Sequence, residues 1–350
     1  MVTGRRWVGV EGKGMKYRRL GKTDLDVSEI ALGCSGFWGD RKFPEKQAAA
    51  VVMEAIERGI NFFDTGYNYS RFNAEPRLGR LLGSVLSHDR GRLVLSSKAG
   101  TVVPAGALFR RPGMKVKDFS PDYIEWSCAR SIANLRCGHL DILQLHGITP
   151  GEIGEPLLER LHDMKRKGMY RYLGINTHSE PDMSFVACHP EIFDMALIDY
   201  SVLQLDREPV IDQLAEAGTG VVAGTVLGQG HLVKGKIGTV KSPADLWYLA
   251  RAWLRPSGRQ LRRISAEMRE TLAAIAEMSP AQAAVAYVLG NRGIASCVFG
   301  TTRVANLHEV VDAVEKTLGS DSIRAIRRSF ELLWRREGTG TSNSSRGSSL

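Results

Sequence analysis

The stretch DFSPDYIEWSCARSIANLRCGHLDILQLHG, Asp118–Gly147, contains one complete repeat of the fold. Ser120 and Pro121 place a capping residue before a proline at the first helical position, where the missing N–H costs nothing and the fixed φ suits the helix. The run that follows predicts a helix over Pro121–Leu135. After Gly138 the period changes, and the short apolar segment Asp141–Leu145 predicts a strand that ends on a polar residue, His146.

Working outward, the same unit recurs. Strands are expected at Glu29–Leu32, Asn61–Asp64, Leu93–Ser97, Asp141–Leu145, Tyr172–Ile175, Met195–Asp199, Gly220–Ala223 and Ser296–Phe299. Amphipathic helices are expected between them, among them Lys46–Glu57, Leu157–Lys167 and Pro280–Leu289, with Ser279 capping the last and Gly59, Gly168 and Gly218 closing others. Short strands alternating with longer helices form a parallel sheet with crossover helices, and eight pairs close a (β/α)8 TIM barrel. The length of 350 residues suits one such α/β domain, expected over residues 15–337. Residues 1–14 read as an N-terminal extension, and the Gly/Ser-rich residues 338–350 as a disordered tail. Two long connections, Gly100–Phe119 and Leu227 to about Arg269, follow the third and seventh strands, on the C-terminal face where barrels build their sites.

Composition excludes several classes. With 43% hydrophobic and 24% charged residues, and no run near the roughly 20 apolar residues that span a bilayer, no membrane segment is expected. The N-terminus lacks a signal-peptide core, so a cytoplasmic location is expected. Five cysteines without a CxxC pair argue against a disulfide framework or a metal site and read as buried thiols. The net charge of +9 and pI near 9.4 could attract nucleic acid, yet the basic residues are dispersed over helix faces and chain ends, and no reading motif accompanies them.

Chemistry concentrates at the strand ends. Asp64 ends the second strand in NFFDTGYNYS, Tyr69 follows on the loop, Lys98 ends the third in LVLSSKAG, and His146 ends the fourth. Each alone has an ordinary explanation: a turn cap, a solvated lysine, a satisfied core histidine. Together, polar residues at three successive strand ends are costly to pack and point to one shared site. A tyrosine can serve as a general acid when a nearby cation lowers its pKa.

These segments resemble the aldo-keto reductase superfamily from about Lys16 to Ala313. The resemblance implies that Tyr69 is the general acid, Lys98 lowers its pKa, Asp64 holds Lys98, and His146 orients a carbonyl oxygen. It also implies a nicotinamide cofactor, NADPH with NADH possible, bound without a GxGxxG loop. VFGTTRVANLHEVV places Gly300, Thr301, Thr302, Arg303 and Asn306 near a 2′-phosphate. GVVAGTVLGQGHLVKGK offers Thr225, Leu227, Gln229, Gly230 and Lys236, and Gly33, Asn176 and Thr177 complete the cofactor candidates. The chain departs from the family at Gly224, where many members have a ring that stacks on nicotinamide, and at Leu197, where a glutamine is usual; cofactor binding is expected to be weaker or rearranged there. His178 is a further candidate. Phe37, Trp38 and Tyr67, with Phe109 and Trp247, are expected to line a pocket for a small-molecule carbonyl substrate. The expected activity is reduction of an aldehyde or ketone, or the reverse oxidation of a sugar or lactol. The alternative is a nucleotide-sensing regulatory or interaction protein on the same fold.

Overall fold

The computed structural model describes residues 14–102, 116–233 and 257–341. Eight parallel strands close a barrel: β3 (Ile30–Gly33), β4 (Phe62–Asp64), β5 (Val94–Ala99), β8 (Leu140–His146), β9 (Tyr170–Thr177), β10 (Met195–Asp199), β11 (Gly220–Gly224) and β12 (Ile294–Phe299), with β12 pairing back onto β3. Each predicted barrel strand is present, with ends shifted by at most two residues and Met195–Asp199 as expected.

The strands are buried on both faces, which is why they read as nearly continuous apolar runs. Along β8 all seven residues are buried. Ile142 joins the barrel interior with Phe62, Val94, Met195 and Val222, whereas Leu143 and Leu145 pack outward against the helical layer. The N-terminal end of the barrel is plugged by an antiparallel hairpin, β1 (Tyr17–Arg19) and β2 (Asp26–Ser28), whose Leu20, Leu25 and Val27 join the interior cluster. Arg18 fastens this hairpin, pairing with Glu29 at 2.6 Å and donating to the carbonyls of Ile294 and Leu289. Sequence periodicity does not reveal the hairpin, because strands of three residues are too short to establish a period.

Around the barrel lie α1 (Glu45–Glu57), α2 (Ala74–His88), α3 (Pro121–Leu135), α4 (Glu155–Arg166), α5 (Glu180–Cys188), α6 (Glu208–Glu216), α7 (Ser257–Ala273), α8 (Pro280–Gly290), α9 (Val304–Val311) and α10 (Ser320–Thr341). Ser279 caps α8 in a reciprocal capping box with Gln282, as its sequence implies. The second long connection is shorter than expected: from Ser257 the chain is helical, and Met268 and Leu272 bury one face of α7 while Thr271 bonds Ser329 of α10 at 3.1 Å. Residues Phe109, Lys236 and Trp247 lie outside the described residues. The backbone of α10 runs to Thr341, into the stretch read as tail.

Cys188 corrects the reading of five buried thiols. It is exposed, because α5 buries the face carrying Met183 and Val186, and Cys188 lies two residues beyond Val186 on the other side. Among the described residues, no helix is long and apolar enough to cross a membrane, and no cluster of histidine, cysteine and carboxylate side chains could hold a metal ion.

Candidate active site

Parallel register sets the polar strand ends side by side at the C-terminal mouth. Gly33 pairs with Asp64, Asp64 with Ser96, Lys98 with Gln144, and His146 with Asn176. Lys98 and Asp64 form an ion pair at 2.5 Å with side chains 1% and 6% exposed, and Lys98 also donates to the Thr65 carbonyl at 3.0 Å. The second Asp64 oxygen accepts from Gln144 Nε2 at 2.7 Å. Burial disfavours the Lys98 ammonium, but the Asp64 carboxylate and the Tyr69 oxygen, both bonded to it, outweigh burial and hold its pKa above the ordinary lysine value. Lys98 Nζ lies 5.1 Å from the Tyr69 ring centre, and the Tyr69 and His146 rings meet edge to face at 6.0 Å. Asp64, Tyr69, Lys98 and His146 thus converge on one space.

The loop that carries Tyr69 is strained. Ser70, Arg71 and Phe72 all have left-handed backbone, with φ of 51°, 57° and 65°. Non-glycine residues there cost about 1–2 kcal/mol each. The conformation is pinned by Ser70 Oγ on the Gly36 carbonyl and Asn73 Nδ2 on the Gly39 carbonyl, both at 2.7 Å, and by the Phe72 ring against Tyr67 at 5.2 Å. Backbone strain maintained beside a reactive side chain fits a site in which position matters more than local stability.

Tyr67 stands beside Tyr69 but faces different chemistry. Burial raises its pKa, and Arg130, which bonds it, only partly opposes that effect, so it remains protonated. Its ring meets Trp126 at 5.3 Å, and Trp126 meets Tyr123 at 5.5 Å, making an aromatic wall. Trp126 is 48% exposed. Sequence reasoning did not select Trp126 or Tyr123, since both read as ordinary helix positions. Trp38 is 2% exposed, donates from its indole to the Ala48 carbonyl at 3.3 Å and packs under the Arg77 guanidinium. Phe37 is also buried, against Phe43.

Gln144 was missed as well, though period two offered a signal. In LQLH it lies two residues before His146 and therefore on the same inner face.

The remaining candidates continue around the mouth from Asn176 beside His146 to Gly33 beside Asp64. Gly33 and Gly300 approach so closely that a Cβ on Gly300 would sit 3.0 Å from the Gly33 carbonyl oxygen, and one on Gly33 would sit 2.9 Å from Val298. Asn176 donates to the Leu197 carbonyl at 3.2 Å, and Thr177 bonds Asp182 at 3.0 Å. His178 pairs with Asp199 at 2.7 Å. Thr225 has φ of 53°, and its buried hydroxyl oxygen has no hydrogen-bond partner among the described residues. Leu227 is buried, and Gln229 and Gly230 lie in the turn Gly228–Gly230. Thr301 Oγ1 accepts from the Arg303 amide at 3.1 Å just before α9, while Arg303 and Asn306 are exposed there. A nicotinamide dinucleotide fits this set: the close glycines admit backbone approach, the Thr225 hydroxyl lacks a partner, and a helix start next to an arginine suits phosphate. Gly224 is closely surrounded, since a Cβ there would lie 3.3 Å from Leu197 and 3.4 Å from the Ile198 carbonyl, so a side chain at this position needs the Leu197 side chain to shift by a few tenths of an ångström.

Comparison with known proteins shows the family to which the barrel belongs. The Aldo/keto reductase family model matches residues 29–331. The uncharacterized oxidoreductase YqkF of Bacillus subtilis is 25% identical over 89% of this chain and 96% of its own. L-galactose dehydrogenase of Arabidopsis thaliana is 27% identical over 88% of this chain and 91% of its own. The holo form of aldo-keto reductase AKR11C1 from Bacillus halodurans superposes with a TM-score of 0.71 at 24% identity, covering 90% and 96% of the two chains, and shares the fold. From the family match and the barrel that carries it, the chain is an NAD(P)H-dependent oxidoreductase belonging to the aldo-keto reductase family.

Proposed function

We propose that the protein reduces an aldehyde or ketone to an alcohol with NADPH, Tyr69 serving as the general acid. The observation that carries this reading is the buried Asp64–Lys98 pair bonded to Tyr69. Reduced nicotinamide, when bound, supplies the hydride. The protein's part is to deliver the proton: Tyr69 gives its phenolic hydrogen to the carbonyl oxygen, and the Lys98 ammonium stabilises the phenolate left behind. Asp64 keeps Lys98 charged, Gln144 holds Asp64 in place, and His146 orients the carbonyl oxygen from the other side. The aromatic wall of Tyr67, Trp126 and Tyr123 favours a substrate with an apolar or ring-shaped body. In the reverse direction the same groups would oxidise a sugar or lactol, a variant supported by the likeness to L-galactose dehydrogenase.

Arg303 would bind the 2′-phosphate that distinguishes NADPH from NADH, as a guanidinium at a helix start suits a phosphate. Fluorescence titration tests the cofactor assignment. Arg303→Ala should weaken NADPH binding by roughly 10-fold and leave NADH binding unchanged; equal effects on both would reject the role. The altered residues Gly224 and Leu197 favour a second reading, a nucleotide sensor, which binding without turnover across a carbonyl panel would support.

A further inference from the structure

We infer that Lys117 and Thr101 are positioning residues that fix which ring nitrogen of His146 carries the proton. This rests on the reductase reading for its consequence but not for its geometry. Thr101–Val102 (β6) and Val116–Lys117 (β7) form a two-stranded antiparallel ladder, with Thr101 directly opposite Lys117. Directly opposed residues project to the same face of such a pair. On that face Lys117 Nζ donates to Thr101 Oγ1 at 3.0 Å and also to the His146 carbonyl, while Thr101 Oγ1 lies 3.0 Å from His146 Nδ1.

The hydrogen count then decides the tautomer. An ammonium can only donate, so Lys117 occupies a lone pair of the Thr101 hydroxyl. The hydroxyl keeps one hydrogen, and Thr101 is buried, so that hydrogen needs an acceptor. Among the described residues its side chain meets Lys117 Nζ and His146 Nδ1, and of these Nδ1 alone can accept. Nδ1 is therefore unprotonated, and Nε2 carries the hydrogen that a carbonyl oxygen can accept. The ladder is itself anchored: Tyr123 donates to the Thr101 carbonyl at 3.1 Å, and the Asp118 amide donates to the Gly100 carbonyl at 3.1 Å. Lys117 and Thr101 act through His146 and need not touch substrate.

The test is nitrogen-15 NMR of the histidine rings in the full-length, cofactor-free protein, with the His146 signals assigned by their loss in His146→Asn. The wild type should show His146 Nδ1 unprotonated and Nε2 protonated. Thr101→Val and Lys117→Met should move both signals toward a mixture of tautomers, and Thr101→Ser should restore the wild-type pattern. In turnover, Thr101→Val should lower kcat by about 10-fold with little change in the Kd for NADPH, the size expected when one hydrogen bond to a reacting group is lost. A protonated Nδ1 in the wild type, or unchanged ring signals in Thr101→Val, would overturn the inference. Absence of turnover with every carbonyl, alongside the expected NMR pattern, would count against the reductase and leave the tautomer assignment standing.

Discussion

Replacing Asp64 by asparagine removes the charge from a buried ion pair while preserving its shape. Two unit charges 2.5 Å apart attract by about 7 kcal/mol at an effective dielectric near 20. Much of this offsets the cost of taking both ions out of water, and removing one partner of a buried pair typically costs about 3–5 kcal/mol. Asp64→Asn should therefore destabilise the protein by about that amount at pH 7. The pH dependence should also change sign. In the wild type the pKa of Lys98 is raised above the ordinary lysine value of 10.5, so its stabilising contribution is complete below that value and is lost as pH rises through the folded-state pKa. In Asp64→Asn burial is no longer outweighed, the folded-state pKa falls below the unfolded one, and stability should rise with pH through the alkaline range below 10.5. Urea unfolding at pH 7 and pH 10, followed by tryptophan fluorescence and circular dichroism, measures both effects. The double variant Asp64→Leu with Lys98→Met should recover much of the loss, because no uncompensated charge remains. A loss under about 1 kcal/mol at pH 7, or an unchanged pH slope, would refute the reasoning.

Arg71→Gly relieves one left-handed residue on the exposed Tyr69 loop and should stabilise the protein by about 1 kcal/mol, read as a shifted urea midpoint; a neutral or lower midpoint would show that the loop carries no such strain. Burial raises the pKa of Glu75, although Ser97, Asn134 and Ser131 bond it, so folding disfavours its ionised form as pH climbs past 4.5. Glu75→Gln should remove that fall in stability, and unfolding midpoints at pH 5 and pH 8 should converge relative to wild type. Gly224→Tyr should tighten NADPH binding about 2- to 10-fold by returning a ring to the nicotinamide side, with Gly224→Ala as a control for the added Cβ; equal affinities for the tyrosine and alanine variants would remove that explanation.

The barrel was legible because each barrel strand is buried on both faces and most of the helices on one, so the apolar pattern changes period at most boundaries; α8, buried nearly all round, is marked instead by its Ser279 cap. His146 and Lys98 were legible as polar residues at or next to the C-terminal ends of mostly apolar strands, where barrels build their sites. The hairpin Tyr17–Ser28 was not, because it is too short to show a period. Helix α7 lay hidden in a polar, arginine-rich segment whose apolar face is only one residue wide per turn, at Met268 and Leu272. The surroundings of Trp38 were not legible, because a tryptophan near a strand end reads equally as pocket or core, and the bond from its indole to Ala48 depends on where α1 packs. The roles of Thr101 and Lys117 depend on a ladder between residues 16 positions apart, and nothing in their local sequence encodes it.

The most direct test of the central claim is NADPH consumption against a panel of aldehydes and ketones, by wild type and by Tyr69→Phe, with cofactor affinity measured on both. The account predicts turnover by the wild type, its loss in Tyr69→Phe by a factor of roughly 100 or more, and similar NADPH affinity in the two proteins. Turnover that survives the loss of the Tyr69 hydroxyl would contradict it.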